Sequence, residues 1–377
     1  MTNARGRGHR LLLLASLSSL AAFAEPQPAK AVLNPLGYYG IEDFSSVRKF
    51  DAHVHVNASA SAFLEVARAD NFELLSINVD YPDFPSLALQ EAVAVQAAAL
   101  DPDRFHFATT FSMHGWEAEG WTTATNLQLD AAVKAGAIAV KTWKNIGMSV
   151  RTAKGALLMI DDPRLDPVFA HVLELRIPLI AHVGEPRNCW LPLEKMTTEN
   201  DRSYFREHPE YHMYLHPELP SYEAQLAARD NRLTRTPGLV FVGAHLASLE
   251  WSVERIGAFL EANPLAVVDM AARMTQVQYQ SHESRRKVRD FFIRYQDRIL
   301  YGSDLTLDPA ADPATFRQEA HDFWLSDWTY LATGKKRRIN DLAAFVVGLK
   351  LPRTVIDKIY WANARRTFFP QRGVGIN

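Results

Sequence analysis

From residue 50 onward the chain repeats one unit: a short run of β-branched and aromatic residues, then a longer stretch with helical spacing. Eight such runs are readable, at 50–56, 73–79, 105–111, 137–142, 178–183, 239–245, 266–270 and 299–301. Stretches between them, such as 166–175 and 251–262, place apolar residues three and four apart. Strands separated by helices must run parallel, because parallel neighbours need long crossovers. Eight repeats over about 250 residues fit a closed (β/α)8, TIM-like barrel of the α/β class better than an open sheet. An open doubly wound sheet is disfavoured further, since no glycine-rich phosphate turn follows the first strand.

Three segments stand outside this repeat. Arg5, Arg7 and Arg10 precede an apolar run at 11–24 that is short for a bilayer span and ends in Ala22-Phe23-Ala24. This order of parts predicts a signal peptide at 1–24, cut after Ala24, with an uncleaved anchor as the alternative. The expected mature chain, 25–377, is a single exported domain, periplasmic or secreted, without stable membrane insertion. The second segment, 186–221, follows the fifth strand and is rich in Trp, Tyr, His and Pro. A connection that long in a compact domain is expected to be a lid or wall of a site. The third, 339–369, reads as two helices packed on the barrel.

Composition narrows the function classes. Cys189 is the only cysteine, which excludes an internal disulfide and any cysteine-based metal cluster. A formal charge of −2 and the lack of a basic stripe argue against a nucleic-acid partner. A small molecule is the expected substrate. A homo-oligomer is compatible with the sequence but nothing in it decides the point.

The chemistry-bearing residues fall at strand ends. The first strand reads Asp51-Ala52-His53-Val54-His55, and residues two apart on a strand share a face. Alone, such a pair is as compatible with a solvated strand face as with half a metal site. His182 ends the fifth strand, His245 the sixth, and Asp304 follows Leu300-Tyr301-Gly302-Ser303 at the eighth. Each by itself also fits a hydrogen-bonded core histidine or a helix-capping aspartate. Their joint position at the C-terminal rim is where barrel enzymes place their chemistry. His53, His55, His182 and Asp304 offer nitrogen and oxygen ligands suited to a divalent metal, Zn²⁺ first, with Fe²⁺ or Mn²⁺ as alternatives. Asp304 is also placed to take a proton from water, and His245 to polarise a carbonyl or stabilise an oxyanion. Lys141 ends the fourth strand and has three readings: a carboxylated bridge between two metals, an anchor for an anionic substrate, or a solvated cation.

These features, with the closing Ile359-Tyr360-Trp361-Ala362-Asn363-Ala364-Arg365-Arg366, resemble the amidohydrolase superfamily over about residues 50–369. The branch most similar is the amidohydrolase-related group that contains aminocarboxymuconate semialdehyde decarboxylase. The resemblance implies a distorted (β/α)8 barrel and a divalent metal. It carries the ligand role to His53, His55, His182 and Asp304 and the catalytic role to His245. Members hydrolyse or decarboxylate, so the expected reaction is metal-dependent hydrolysis of an ester, lactone or amide, with non-oxidative decarboxylation of a small acid as the alternative. A non-catalytic metal-binding barrel is the third reading. The export signal and the long segment after His182 depart from the cytosolic relatives, and Lys141 leaves the metal count open. Substrate contacts are expected from Trp143, Arg187 and Arg273, with His114, Trp116, Trp190, Tyr204 and Tyr211 also facing the pocket. The expected ligand is small and anionic or aromatic.

Overall fold

The structure is a computed structural model and describes residues 37–370; the expected signal peptide lies outside them. Among the described residues, nine strands form one parallel sheet: β1 Lys49–Val56, β2 Phe72–Ile77, β3 Phe105–Thr110, β4 Ala139–Thr142, β5 Leu179–Ala181, β6 Phe241–Gly243, β7 Ala266–Asp269, β8 Ile299–Leu300 and β9 Leu305–Leu307. Their order is β8-β7-β6-β5-β4-β3-β2-β1-β9. β8 and β9 are two halves of one eighth strand, the first paired with β7 and the second with β1. Across the break, the amide of Ala52 donates to the Tyr301 carbonyl at 2.9 Å and that of Asp304 to the His53 carbonyl at 2.8 Å. The sheet therefore closes on itself as a barrel, with the expected eight-fold repeat. The expected eighth strand, 299–301, is longer and interrupted, so Asp304 sits inside the break rather than at a strand terminus.

Strand alternation sorts the core into two shells. Phe50, Leu75, Ala108, Ala139, Ile180, Val242, Val267 and Leu300 fill the barrel interior. Residues of the opposite phase, such as Leu74, Phe107, Val140, Phe241 and Val268, pack outward against the helices. β1 breaks this rule usefully. Phe50 and Ala52 face inward, yet Val54 and Val56, of the same parity, belong to the outer shell. The β1–β2 register shifts between Asp51 and Val54, and this bulge inverts the phase. His53 and His55 consequently turn into the barrel mouth while Asp51 turns outward.

Asp51 ties the closing seam. One carboxylate oxygen accepts from the backbone amides of His53, at 3.2 Å, and Ser303, at 3.0 Å; the other accepts from the Trp324 indole at 2.8 Å. Trp324 is itself fully buried and stacked on Phe72 at 4.1 Å. Nearby, Asp327 accepts from the Tyr301 hydroxyl at 3.0 Å, and burial pushes its carboxyl up from 3.8 to about 7. A carboxyl whose folded pKa lies above its unfolded value contributes stability below pH 4 that is lost as pH rises through about 7. Asp327→Asn keeps an acceptor for Tyr301 and removes the titration. The variant should therefore lose less thermal stability than wild type between pH 5 and 8, the difference being on the order of a few kcal/mol at most. Parallel melting curves across that range check this.

The 186–221 segment folds as short 3₁₀ turns around a helix, Glu199–Glu207, with a small core of Cys189, Met196, Phe205 and Met213. Asp201 fastens it, accepting from Asn188 at 2.8 Å and from Gln276 at 3.1 Å. The tail differs from expectation. Lys336–Ile339 and Ala344–Val347 form an antiparallel hairpin, β10 and β11, and helix begins only at Arg353. The run Ala344-Phe345-Val346-Val347 alternates buried and exposed positions with β-branched residues, which suits a strand. The final helical stretch, 353–368, carries one π-helical turn at Lys358–Ala362, and the Ile359 carbonyl accepts from the Tyr301 amide at 3.0 Å. No described helix is long and apolar enough to cross a membrane.

Candidate metal centre

At the C-terminal mouth of the barrel the β1 histidines meet the broken eighth strand. His53 Nε2 and His55 Nε2 each lie 3.3 Å from Asp304 Oδ1. The ring of His245 lies 4.9 Å from that of His53, and the ring of His182 lies 4.2 Å from that of His245. Ligand atoms of His53, His245 and Asp304 all fall within 4.8 Å of one another. Sequence reasoning assigned His182 to the metal and His245 beside it. The structure brings all five residues together but sets His245 in the tightest trio.

The far nitrogens define the tautomers. His55 Nδ1 faces the Ile77 carbonyl at 2.8 Å, and His245 Nδ1 faces the Ala271 carbonyl at 2.8 Å. A carbonyl only accepts, so each Nδ1 carries the proton and each Nε2 presents a lone pair. His53 Nδ1 meets the buried carboxylate of Asp269 at 2.9 Å, with the same result. His182 Nε2 is buried and has no hydrogen-bond partner among the described residues. Several lone pairs and a carboxylate oxygen thus converge on one point. Such an arrangement calls for cations among them; Lys141 Nζ supplies one beside His53, and the donor set suits a divalent metal as well. The residues present fit that group.

Burial sets the protonation states. It drives His182 and His245 well below the ordinary histidine range, and neighbouring cations add to the effect. His53 is lowered too, by burial and then by Lys141. For Asp304 burial acts upward, but the surrounding histidines outweigh it and hold the carboxyl well below its usual value. Neutral histidines and an ionised aspartate are the states a metal requires. Lys141 points into the same cluster, with Nζ 3.5 Å from His53 Nε2, and burial lowers it to about 8 against the attraction of Asp269 and Asp304.

The backbone around these residues is strained. Four consecutive residues, His245, Leu246, Ala247 and Ser248, have φ between 56° and 59°, and Asp304 has φ 70°. Each non-glycine residue held there costs roughly 1–2 kcal/mol. Hydrogen bonds with three neighbouring side chains hold the left-handed turn. Asp269 Oδ1 accepts from the His245 amide at 2.8 Å, Arg229 donates to the Ala247 carbonyl at 2.5 Å, and Tyr222 donates to that of Ser248. Gly243 is required just before it, since a Cβ there would lie 2.5 Å from the Ala247 Cβ. Strain of this kind concentrates at functional sites.

Trp143 packs on Tyr81 at 4.8 Å, and both, with His114 and Trp116, line a cleft beside the centre. The Arg187 guanidinium lies over the Trp251 ring at 4.1 Å, and its backbone amide donates to Glu250. Arg273 donates to the Ala272 carbonyl at 2.9 Å, while its Nε is buried without an acceptor among the described residues. Trp190 donates to the Pro220 carbonyl, and Tyr204 and Tyr211 are exposed on the 186–221 segment. Two residues escaped sequence reasoning. Asp269 holds His53 and the His245 turn together, and it ends the seventh strand, the same signal that drew attention to Asp304. Asp51 opens the quoted motif but does its work outward, across the seam.

The amidohydrolase family profile matches residues 50–369. No curated protein sequence matches the chain. Among solved structures, 2,6-dihydroxybenzoate decarboxylase from Rhizobium, and a 2,6-dihydroxybenzoate decarboxylase in complex with 2,6-dihydroxybenzoate, each superpose with a TM-score of 0.50 at 14% identity. The match covers 85% of this chain and 98% of that one. The 4-oxalomesaconate hydratase of Rhodopseudomonas palustris superposes with a TM-score of 0.44 at 14% identity, covering 85% and 95%. At these identities the likeness is one of fold. The profile spans the whole closed barrel and its tail, and the chain belongs to the amidohydrolase family.

Proposed function

We propose that the protein is a metal-dependent hydrolase in which water attacks an ester, lactone or amide of a small molecule. The observation that carries the reading is the set of lone pairs fixed on His53, His55 and His245 around the Asp304 carboxylate. His53, His55 and Asp304, with His245 or His182, would hold the metal, for which zinc is the first candidate. When bound, a divalent metal acidifies water and polarises a carbonyl. Asp304, held ionised at the strand break, is the acceptor for the proton that leaves the attacking water. His245 has its Nδ1 proton committed to Ala271, so its Nε2 acts as ligand or base rather than as an oxyanion donor. Donation to a developing oxyanion falls instead to Lys141, a cation at the same point.

Decarboxylation of a small acid is the second reading, and one observation favours it. The buried Nε of Arg273 lacks an acceptor, and its charge acts on His182, His245 and Glu250. A guanidinium so placed suits a substrate carboxylate. The two readings separate in water enriched in ¹⁸O, using the purified chain loaded with zinc, iron or manganese against esters, lactones, amides and small acids. Hydrolysis puts ¹⁸O into the acid product. Release of CO₂ without incorporation of water would replace the hydrolase by a lyase.

A further inference from the structure

A cleft of about 440 Å³ lies over the C-terminal ends of β2, β3 and β4. Its aromatic walls are Tyr81, Trp116 and Trp143, and its polar rim includes Asp80, Asn145 and Arg151. The aromatic groups are held in place. Trp116 donates to the Arg151 carbonyl at 3.2 Å and carries the Arg164 guanidinium over its ring at 4.4 Å. The cleft neighbours the metal centre across a run of packed rings. From His55 the rings run to Phe84 at 5.2 Å, on to Tyr81 at 5.2 Å, and to Trp143 at 4.8 Å. Trp143 also follows Lys141 by two residues along the end of β4.

The polar groups are half committed, and the uncommitted halves are of both kinds. Asn145 is 8% exposed; its Oδ1 accepts from the Ile146 amide at 2.9 Å, which leaves Nδ2 as a donor without an acceptor among the described residues. Asp80 receives the Met113 amide on Oδ2 at 3.1 Å and keeps its other oxygen as an acceptor. Arg151 gives Nη1 to the Gly155 carbonyl at 2.9 Å and keeps the rest of its fork. A flat aromatic acid would use the walls and Arg151 but would meet the Asp80 charge. A sugar ring offers apolar C–H faces to the aromatic walls and an equator of hydroxyls, each both donor and acceptor, to Asp80 and Asn145.

We propose that this cleft is a subsite for a polyhydroxylated ring of pyranose type, which delivers the reacting group to the metal centre. The delivery rests on the hydrolase reading; the ring binding does not. The test is therefore direct binding to the full chain, by calorimetry and tryptophan fluorescence. The probes are the methyl α- and β-glycosides of glucose, galactose and mannose, with 4-nitrophenol as the aromatic control. At least one glycoside should bind saturably, and 4-nitrophenol should not compete with it. Asn145→Asp keeps the bond to the Ile146 amide and exchanges the free donor for an anionic acceptor in the cleft that Asp80 also lines, so it should weaken binding by about tenfold or more, at least the loss of one net hydrogen bond. Trp143→Ala should weaken binding at least as much. The glycoside should still bind His53→Ala, so loss of the metal centre and loss of the subsite read out separately. No saturable binding by any of the six glycosides, affinity unchanged in Asn145→Asp, or displacement of the glycoside by 4-nitrophenol would each overturn the proposal.

Discussion

His53→Ala should empty the metal centre and stop turnover in the same step. His53 is the hub of the cluster: its Nδ1 is anchored on Asp269, and its Nε2 faces Asp304 at 3.3 Å and Lys141 at 3.5 Å. Alanine removes a lone pair, frees the buried Asp269 carboxylate oxygen and leaves Lys141 facing Asp304 directly. Elemental analysis of wild type should find about one equivalent of metal, and of the variant almost none. On the proposed hydrolase reading the specificity constant should fall by roughly 10³-fold or more, because a bound metal would supply the acidified nucleophile. Two equivalents in wild type would instead give Lys141 a bridging role. Full activity in a metal-free His53→Ala protein would sink the metal reading altogether.

Asp269→Asn should have the second largest effect while leaving the number of heavy atoms in the side chain unchanged. The aspartate accepts three hydrogen bonds: from His53 Nδ1, and from the amides of His245 and Ala271. Asparagine can keep its oxygen toward the two amides, and its NH₂ then faces His53 Nδ1. Two donors cannot face each other, so His53 must move its proton to Nε2, the atom proposed to bind metal. The lone pair is lost although the ring stays in place. Metal affinity should fall by about 10–100-fold, the range seen when a ligand's supporting carboxylate is removed. Competition with a fluorescent chelator measures this, and a melting curve close to wild type without added metal separates the tautomer effect from unfolding. If affinity were unchanged, the Asp269 carboxylate would not set the His53 tautomer.

The barrel was legible in the chain because fully buried parallel strands write themselves as short continuous apolar runs, and eight of them leave few topologies. The interruption of the eighth was not, because Gly302-Ser303-Asp304 reads as a turn after a strand rather than a gap within one. The hairpin of β10 and β11 was hidden in a tail whose later residues are helical in pattern. In the site, histidines at strand ends are conspicuous by type and position. Which of them stand closest is decided by backbone geometry that no spacing reports: the bulge after Asp51 and the left-handed turn at His245. Asp269 shows a different limit. A carboxylate that supports a ligand carries the same local signature as the ligand itself, and only contacts tell them apart.

The break at Asp304 has a thermodynamic consequence. His53 and His55 lie on the first strand and Asp304 at the break in the last, so the candidate ligands straddle the seam where the barrel closes. A cation held between them acts as a rivet. If it binds only the closed form, free metal at a thousand times its dissociation constant would add about 4 kcal/mol to the closed state. Ring closure and cofactor loading would then be one equilibrium. The melting temperature of the chain would track free metal in its surroundings, and starving it of metal would first be felt as loosening along the β1 edge.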